Sequence, residues 1–320
     1  MSNMLRLCAI TVLFYVSGIS YAGLVKDQVI SIDNIDRTYD MYLPNNEVNG
    51  SRPLVLLLHG HFGDADVMTG ENGKKAPYKV WLTIAEREGW YLVIPDGESG
   101  SDGRGWNDCR AASTVNPPTD DVKFLNTLTD KMSVDYPIDK NRIYIHGTSN
   151  GGLMAYRLAQ EVGDKYRAFA SVVSQMTDNS KCKESNYPKS VLVMNGTRDP
   201  ILPYKGGEIG KRKKDQGKRG SVMSTNDTVN YWRNVNGISS LPKIKKLPDL
   251  DKNDRSTVHI KQYVGGKNNT EVILYEIRGG GHTEPSLTEH YARLYKLIIG
   301  KQNRDFEMAV EVWKFFDRNK

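Results

Sequence analysis

The stretch Arg142-Ile-Tyr-Ile-His-Gly-Thr-Ser-Asn-Gly-Gly152 constrains this chain more than any other. Ile143, Tyr144 and Ile145 form a β-branched and aromatic run. Gly147-Thr-Ser-Asn-Gly151 follows, and then Leu153, Met154, Tyr156, Leu158, Ala159 and Val162 in helical spacing. Strand, G-x-S-x-G turn and helix in that order predict a sharp elbow that lifts the Ser149 hydroxyl clear of a sheet. Gly147 and Gly151 let two chain segments approach closely there. The helix would point its positive end at the serine. The competing reading is a glycine-rich strand-to-helix turn without chemistry.

The rest of the chain repeats the strand–helix alternation. Pro53–Leu58 is a continuous apolar run ending in His59-Gly60, as expected of a strand buried on both faces. Trp90–Ile94, Phe169–Val173, Val191–Met194 and Val272–Ile277 read as further strands, and Val29–Leu43 as an antiparallel edge hairpin. Helices are expected over Tyr78–Glu88, from Asp120-Asp121 to Tyr136, around Trp232, and at the C-terminus. There Phe306, Ala309, Val310, Trp313 and Phe316 would share a face. Residues 98–119 and 205–225 read as long polar loops, and His290 as part of a helix. The pattern implies an α/β fold: a mainly parallel central sheet with helices on both faces. No composition break divides residues 23–320, so one domain is expected.

Residues 1–22 read as a secretory signal peptide. One basic residue, Arg6, precedes an apolar run from Leu7 to Ile19, and Ser20-Tyr-Ala22 has the small-x-small form of a cleavage site. The run is too short to span a bilayer comfortably, so no stable membrane insertion is expected. The protein is expected in the periplasm or outside the cell. Cys109 and Cys182 then remain, and an even pair in an oxidising compartment suggests a disulfide, with two free thiols as the alternative. They make a poor metal site. The net charge of +6 owes much to Lys211–Arg219. That stretch lacks interleaved aromatics, which argues against nucleic acid as a partner and for a solvated loop.

A serine hydroxyl needs a base. His282, in Gly279-Gly-Gly-His-Thr after a strand, is the best placed of six histidines. His146 lies inside the elbow strand and suits a buried structural role. Asp199, in Asn195-Gly-Thr-Arg-Asp-Pro200, would orient the imidazole, and Asp178 is its competitor. The order Ser149, Asp199, His282 is that of the α/β-hydrolase fold. Backbone N–H groups of Asn150 and His61 would hold the oxyanion. No metal or cofactor is called for.

Together these pieces resemble the polyhydroxybutyrate depolymerase and feruloyl esterase group of α/β hydrolases. The matching segments are Arg37-Thr-Tyr-Asp-Met-Tyr-Leu-Pro44, Leu58-His-Gly60, Gly105-Trp-Asn107, Asp120-Asp-Val-Lys-Phe124 and Ile138–Tyr144. Gly147–Gly152, Gly196-Thr-Arg-Asp199, Gly279–His282 and Val312–Phe316 complete the set. The resemblance implies a secreted serine esterase acting on a small-molecule or polymer ester. It supports Ser149, Asp199 and His282 in turn, and a Cys109–Cys182 disulfide. The chain departs from the group at Glu284, often Trp, and at His61, often Cys or Gly. Both positions should border the acyl pocket, with Glu284 at its mouth or, in the plainer reading, capping the turn before Pro285. Trp106 would line the cleft or fill a loop core. An acyltransferase with the same three residues, and a silent binding protein on the same fold, are the competing functions. The sequence leaves the oligomeric state open.

Overall fold

The computed structural model describes residues 23–45, 50–73, 77–210 and 217–320. The signal-peptide reading of residues 1–22 falls outside them, as do residues 211–216 of the basic stretch. In chain order the strands and helices are β1 (Gly23–Ile32), β2 (Ile35–Leu43), β3 (Arg52–Leu58), α1 (Ala65–Thr69), α2 (Val80–Glu88) and β4 (Tyr91–Pro95). There follow β5 (Glu98–Gly100), β6 (Gly103–Gly105), α3 (Asp121–Asp135), β7 (Ile138–Thr148), α4 (Asn150–Glu161), β8 (Ala168–Val172) and β9 (Ser190–Gly196). The last are β10 (Gly207–Glu208), β11 (Ser221–Val222), α5 (Thr225–Asn236), β12 (Lys243–Lys246), β13 (Thr257–Tyr263), β14 (Val272–Arg278), α6 (Arg293–Ile299) and α7 (Met308–Arg318).

Ten strands form one sheet in the order β1-β2-β4-β3-β7-β8-β9-β14-β13-β12. The centre, from β4 to β14, is parallel. The pairs β1–β2, β2–β4, β13–β14 and β12–β13 are antiparallel. All seven residues of β3 are buried. Its side chains alternate between two cores, as the two-residue period of a strand requires. Leu54, Leu56 and Leu58 pack with α3, α4 and α5, whereas Val55 and Leu57 pack with α1, α2 and α7. This is the α/β-hydrolase fold.

Local chemistry sets the helix boundaries. The Asp120 carboxylate accepts from the Lys123 N–H and caps α3 as expected. Three expectations need correction. The C-terminal helix buries Met308, Ala309, Val312, Phe315 and Phe316. Val310 and Trp313 lie at the margin of that stripe, and Trp313 carries the Arg87 guanidinium 5.2 Å from its ring centre. The loop 98–119 contains the small β5–β6 hairpin. His290 precedes α6 rather than lying in a helix.

In a parallel sheet the strand ends share one edge, and binding residues collect in the loops there. The loops after β3, β7, β9 and β14 carry His61, Ser149, Asp199 and His282 respectively.

Candidate active site

Ser149 stands between β7 and α4 with φ 51° and ψ −119°. A non-glycine residue in that conformation is strained and is kept there by its surroundings. The Ser149 N–H donates to the Val172 carbonyl at 2.9 Å, and the serine carbonyl starts α4. A Cβ on Gly147 would stand 2.1 Å from the Gly151 carbonyl oxygen, and one on Gly151 2.2 Å from that of Leu58. Only glycine lets the helix come down on the strand ends at these positions.

Gly281 and His282 are tied down by backbone bonds to the end of α6 and the segment just after it: His282 N–H to Ile299 at 2.6 Å and Gly281 N–H to Lys301 at 2.8 Å. The imidazole Nε2 lies 2.9 Å from Ser149 Oγ, and Nδ1 2.7 Å from Asp199 Oδ2. The other Asp199 oxygen accepts from the N–H groups of Ile201 and Leu202 at 2.7 and 2.9 Å. An ionised carboxylate can only accept, so the Nδ1 proton faces Asp199 and the Nε2 lone pair faces the serine. Burial alone would lower the His282 pKa. The Asp199 charge, its hydrogen bond and the Glu284 charge outweigh burial and raise it above the ordinary histidine value. The competitor Asp178 is elsewhere, accepting from Ser221 Oγ.

The Gly60–His61 peptide lies against the serine; a Cβ on Gly60 would be 3.3 Å from that of Ser149. Its carbonyl oxygen is held by the Gly63 N–H at 3.0 Å and by His59 Nδ1 at 2.8 Å. The Gly97 N–H donates to His59 Nε2 at 2.8 Å, which leaves the proton on Nδ1. Because a trans peptide sets its C=O and N–H in opposite directions, the His61 N–H points away from His59. Burial, and then the nearby Arg219 charge, lower the His61 side-chain pKa to about 4, so its ring is neutral near pH 7.

Asn150 begins α4, where the first N–H groups have no partner within the helix. Its side chain is clamped: Oδ1 accepts from the Trp106 N–H at 2.7 Å, and Nδ2 donates to Asp108 Oδ2 at 2.6 Å. Asp108 in turn pairs with Arg110 at 2.7 Å. Cys109, between them, forms a disulfide with Cys182. A carboxylate near the two sulfurs, Glu161, completes a cluster of metal-ligand type, but disulfide sulfurs are not thiolate ligands.

The two expected substrate contacts are corrected. Trp106 is fully buried, and its indole N–H donates to the His59 carbonyl at 2.9 Å. It fills the loop core because both ring and N–H are satisfied there. Glu284 is only 4% exposed, so its carboxylate does not face solvent. Hydroxyls of Tyr78, Thr148 and Tyr291 all donate to its carboxylate.

Beside Ser149 is a cavity of about 30 Å³, bordered by His61, Asn150, Leu153, Ile201, Leu202 and Ile209, with Arg110 and Arg219 at its side. Leu153, Leu202, Ile209 and Val222 form a small apolar cluster of their own. Sequence reasoning missed Arg219 as a site residue because it closes a run of bases that reads as solvated loop. Here it pairs with Asp102 and lies 5.7 Å from the centre of the Phe62 ring. Tyr78 and Tyr291 carried no sequence signal for the contacts they make, whereas His59 flanks Gly60 at a strand end and already suited the oxyanion region.

The prolyl oligopeptidase family matches residues 79–189. NocK of Nocardia uniformis subsp. tsuyamanensis, a protein whose name designates an esterase, is 27% identical over 267 residues, covering 81% of this chain and 72% of its own. Feruloyl esterase B of Piromyces equi is 27% identical over 239 residues; the match covers 72% of this chain but 40% of that protein. The acetyl xylan esterase structure from Aspergillus awamori shares the fold at a TM-score of 0.52 and 13% identity, covering 86% of this chain and 98% of that one. With this fold and these likenesses, the chain is an α/β hydrolase by fold and is similar to esterases.

Proposed function

We propose that the protein is a secreted serine carboxylic-ester hydrolase working through an acyl-enzyme on Ser149. The observation that carries this reading is the unbroken relay from Ser149 Oγ to His282 Nε2 at 2.9 Å and from Nδ1 to Asp199 at 2.7 Å. His282 takes the hydroxyl proton as Ser149 Oγ attacks the ester carbonyl carbon. The N–H groups of His61 and Asn150 stabilise the oxyanion. The imidazolium gives its proton to the departing alcohol, leaving the acyl group on Ser149. Water, deprotonated by the same imidazole, then releases the acid.

The cavity beside Ser149 supports a short acyl group. The space is narrow, about 30 Å³, and the buried apolar side chains of Leu153, Leu202 and Ile209 form part of its wall, which favours a small acyl group. An acetyl ester therefore fits better than a feruloyl or hydroxybutyryl ester, and the alcohol side of the substrate is left to be a sugar or polymer. The leader-like residues 1–22 and the Cys109–Cys182 disulfide support export to an oxidising compartment.

The test is hydrolysis of p-nitrophenyl acetate and an acetylated oligosaccharide by wild type and Ser149→Ala. The reading requires loss of roughly 10³-fold or more in the variant with its fold intact. Activity within about tenfold of wild type would overturn it. If an added alcohol takes the acyl group in preference to water, the enzyme is an acyltransferase instead.

A further inference from the structure

Glu284 lies two residues after His282, and its carboxylate is sealed from solvent. Its three hydroxyl donors come from distant parts of the chain. Tyr78 sits in the helical turn before α2, Thr148 ends β7, and Tyr291 precedes α6. Thr148 is the residue immediately before Ser149. The Glu284 backbone is fixed as well, its carbonyl accepting from Gln302 Nε2 at 2.9 Å. The carboxylate thus spans from the loop that carries the base to the strand that carries the nucleophile.

A buried carboxylate needs donors or a cation to offset its lost hydration. Here the donors are all hydroxyls. Among the described residues no lysine or arginine forms an ion pair with Glu284, so its charge is not cancelled locally. Burial first, and then the Glu284 charge, push the Tyr78 and Tyr291 phenols well above their ordinary pKa, which keeps both protonated as donors. Tyr295 on α6 is raised by the same two causes. The charged groups that bear on the His282 imidazole are Asp199, from the loop after β9, and Glu284.

We propose that Glu284 is a second carboxylate of this site: a positioning residue that braces Thr148 against the His282 loop and presents an uncancelled negative charge to the imidazolium formed during acyl transfer. The inference rests on the acyl-transfer reading given above. Asp199 bonds the imidazole directly; Glu284 acts through the field and through Thr148. A charge in a poorly hydrated interior acts over a longer range than one in water.

The test is the pH profile of kcat/KM for p-nitrophenyl acetate in wild type, Glu284→Gln and Glu284→Asp. Gln keeps the shape but removes the charge. Its acid limb should move to lower pH, because the imidazolium loses a stabilising charge. Its plateau should fall by roughly tenfold, because the same charge stabilises the transition state. Asp restores the charge, so its acid limb should return to the wild-type position. If Gln fails to fold by thermal melting, the uncharged Glu284→Met should show the same acid-ward displacement. A neutral variant whose acid limb superimposes on wild type, whatever its plateau, overturns the inference. That outcome leaves the acyl-transfer reading standing, since Ser149→Ala tests it separately.

Discussion

The size of the cavity beside Ser149 makes a quantitative prediction about acyl-chain length. The space is about 30 Å³ and is lined in part by Leu153, Leu202 and Ile209, none more than 4% exposed. An acetyl methyl enters it with the least displacement of these side chains. A longer acyl chain that presses on these side chains displaces buried groups, and overpacking a buried cluster costs about 1–3 kcal/mol. That cost falls on the transition state, so kcat/KM should drop roughly five- to 150-fold from acetate to butyrate. Ile209→Ala trims a wall that follows a short strand and touches no part of the relay. Butyrate should then recover most of its deficit while acetate changes little. The variant should lose about 2 kcal/mol of stability, the low end for such a truncation, because its apolar cluster is small. The assay is kcat/KM on p-nitrophenyl acetate, butyrate and octanoate and on methyl ferulate, with both proteins checked by denaturant melts. Equal rates on acetate and ferulate in wild type would refute the argument, as would an acetate-to-butyrate ratio that Ile209→Ala does not move.

Other consequences are as direct. With His282 raised above the ordinary value of 6.5 by Asp199 and Glu284 against burial, kcat/KM should fall as pH drops through a point above 6.5, since the base must be neutral; an acid limb below 6.5 would contradict this. Asp199→Asn should lower kcat by roughly 10⁴-fold with little change in KM, because the amide favours the wrong tautomer. His59→Ala frees the Gly60 carbonyl and should lower kcat by roughly 10²-fold, the scale of a misaligned oxyanion donor, with KM nearly unchanged. The Cys109–Cys182 bridge closes a loop with a sequence separation of 73, so replacing both cysteines by serine should cost about 4 kcal/mol in denaturant melts.

Much of the fold could be read from local signals. The buried strands announced themselves as apolar runs, and Asp120 as a helix cap. The elbow was legible because strand, G-x-S-x-G turn and helix follow one another directly in the sequence, and Gly147 answers to nearby Gly151. His282 and Asp199 could be found because each follows a strand whose end must lie at the same edge of a parallel sheet. The surroundings of Glu284 could not be read. Its partners Tyr78 and Thr148 lie 206 and 136 residues away, and no local pattern encodes such a meeting. Trp106 failed for a similar reason: an aromatic residue in a polar loop suits a cleft or a loop core, and only the His59 carbonyl decides between them. The C-terminal helix shows the limit of periodicity. A stripe on 308, 309, 312, 315 and 316 and one shifted toward 310 and 313 are both helical, and the sheet it packs against makes the choice.

The central claim is that Ser149 carries the acyl group. The most direct measurement is the mass of the enzyme quenched in acid during turnover of p-nitrophenyl acetate, followed by peptide mapping. The acid quench protonates His282 and stops attack by water, so the acyl-enzyme present at that moment is retained. One added acetyl group is expected, on the peptide containing Ser149, and none on Ser149→Ala. An acetyl group on another residue that forms and decays at the turnover rate would contradict it.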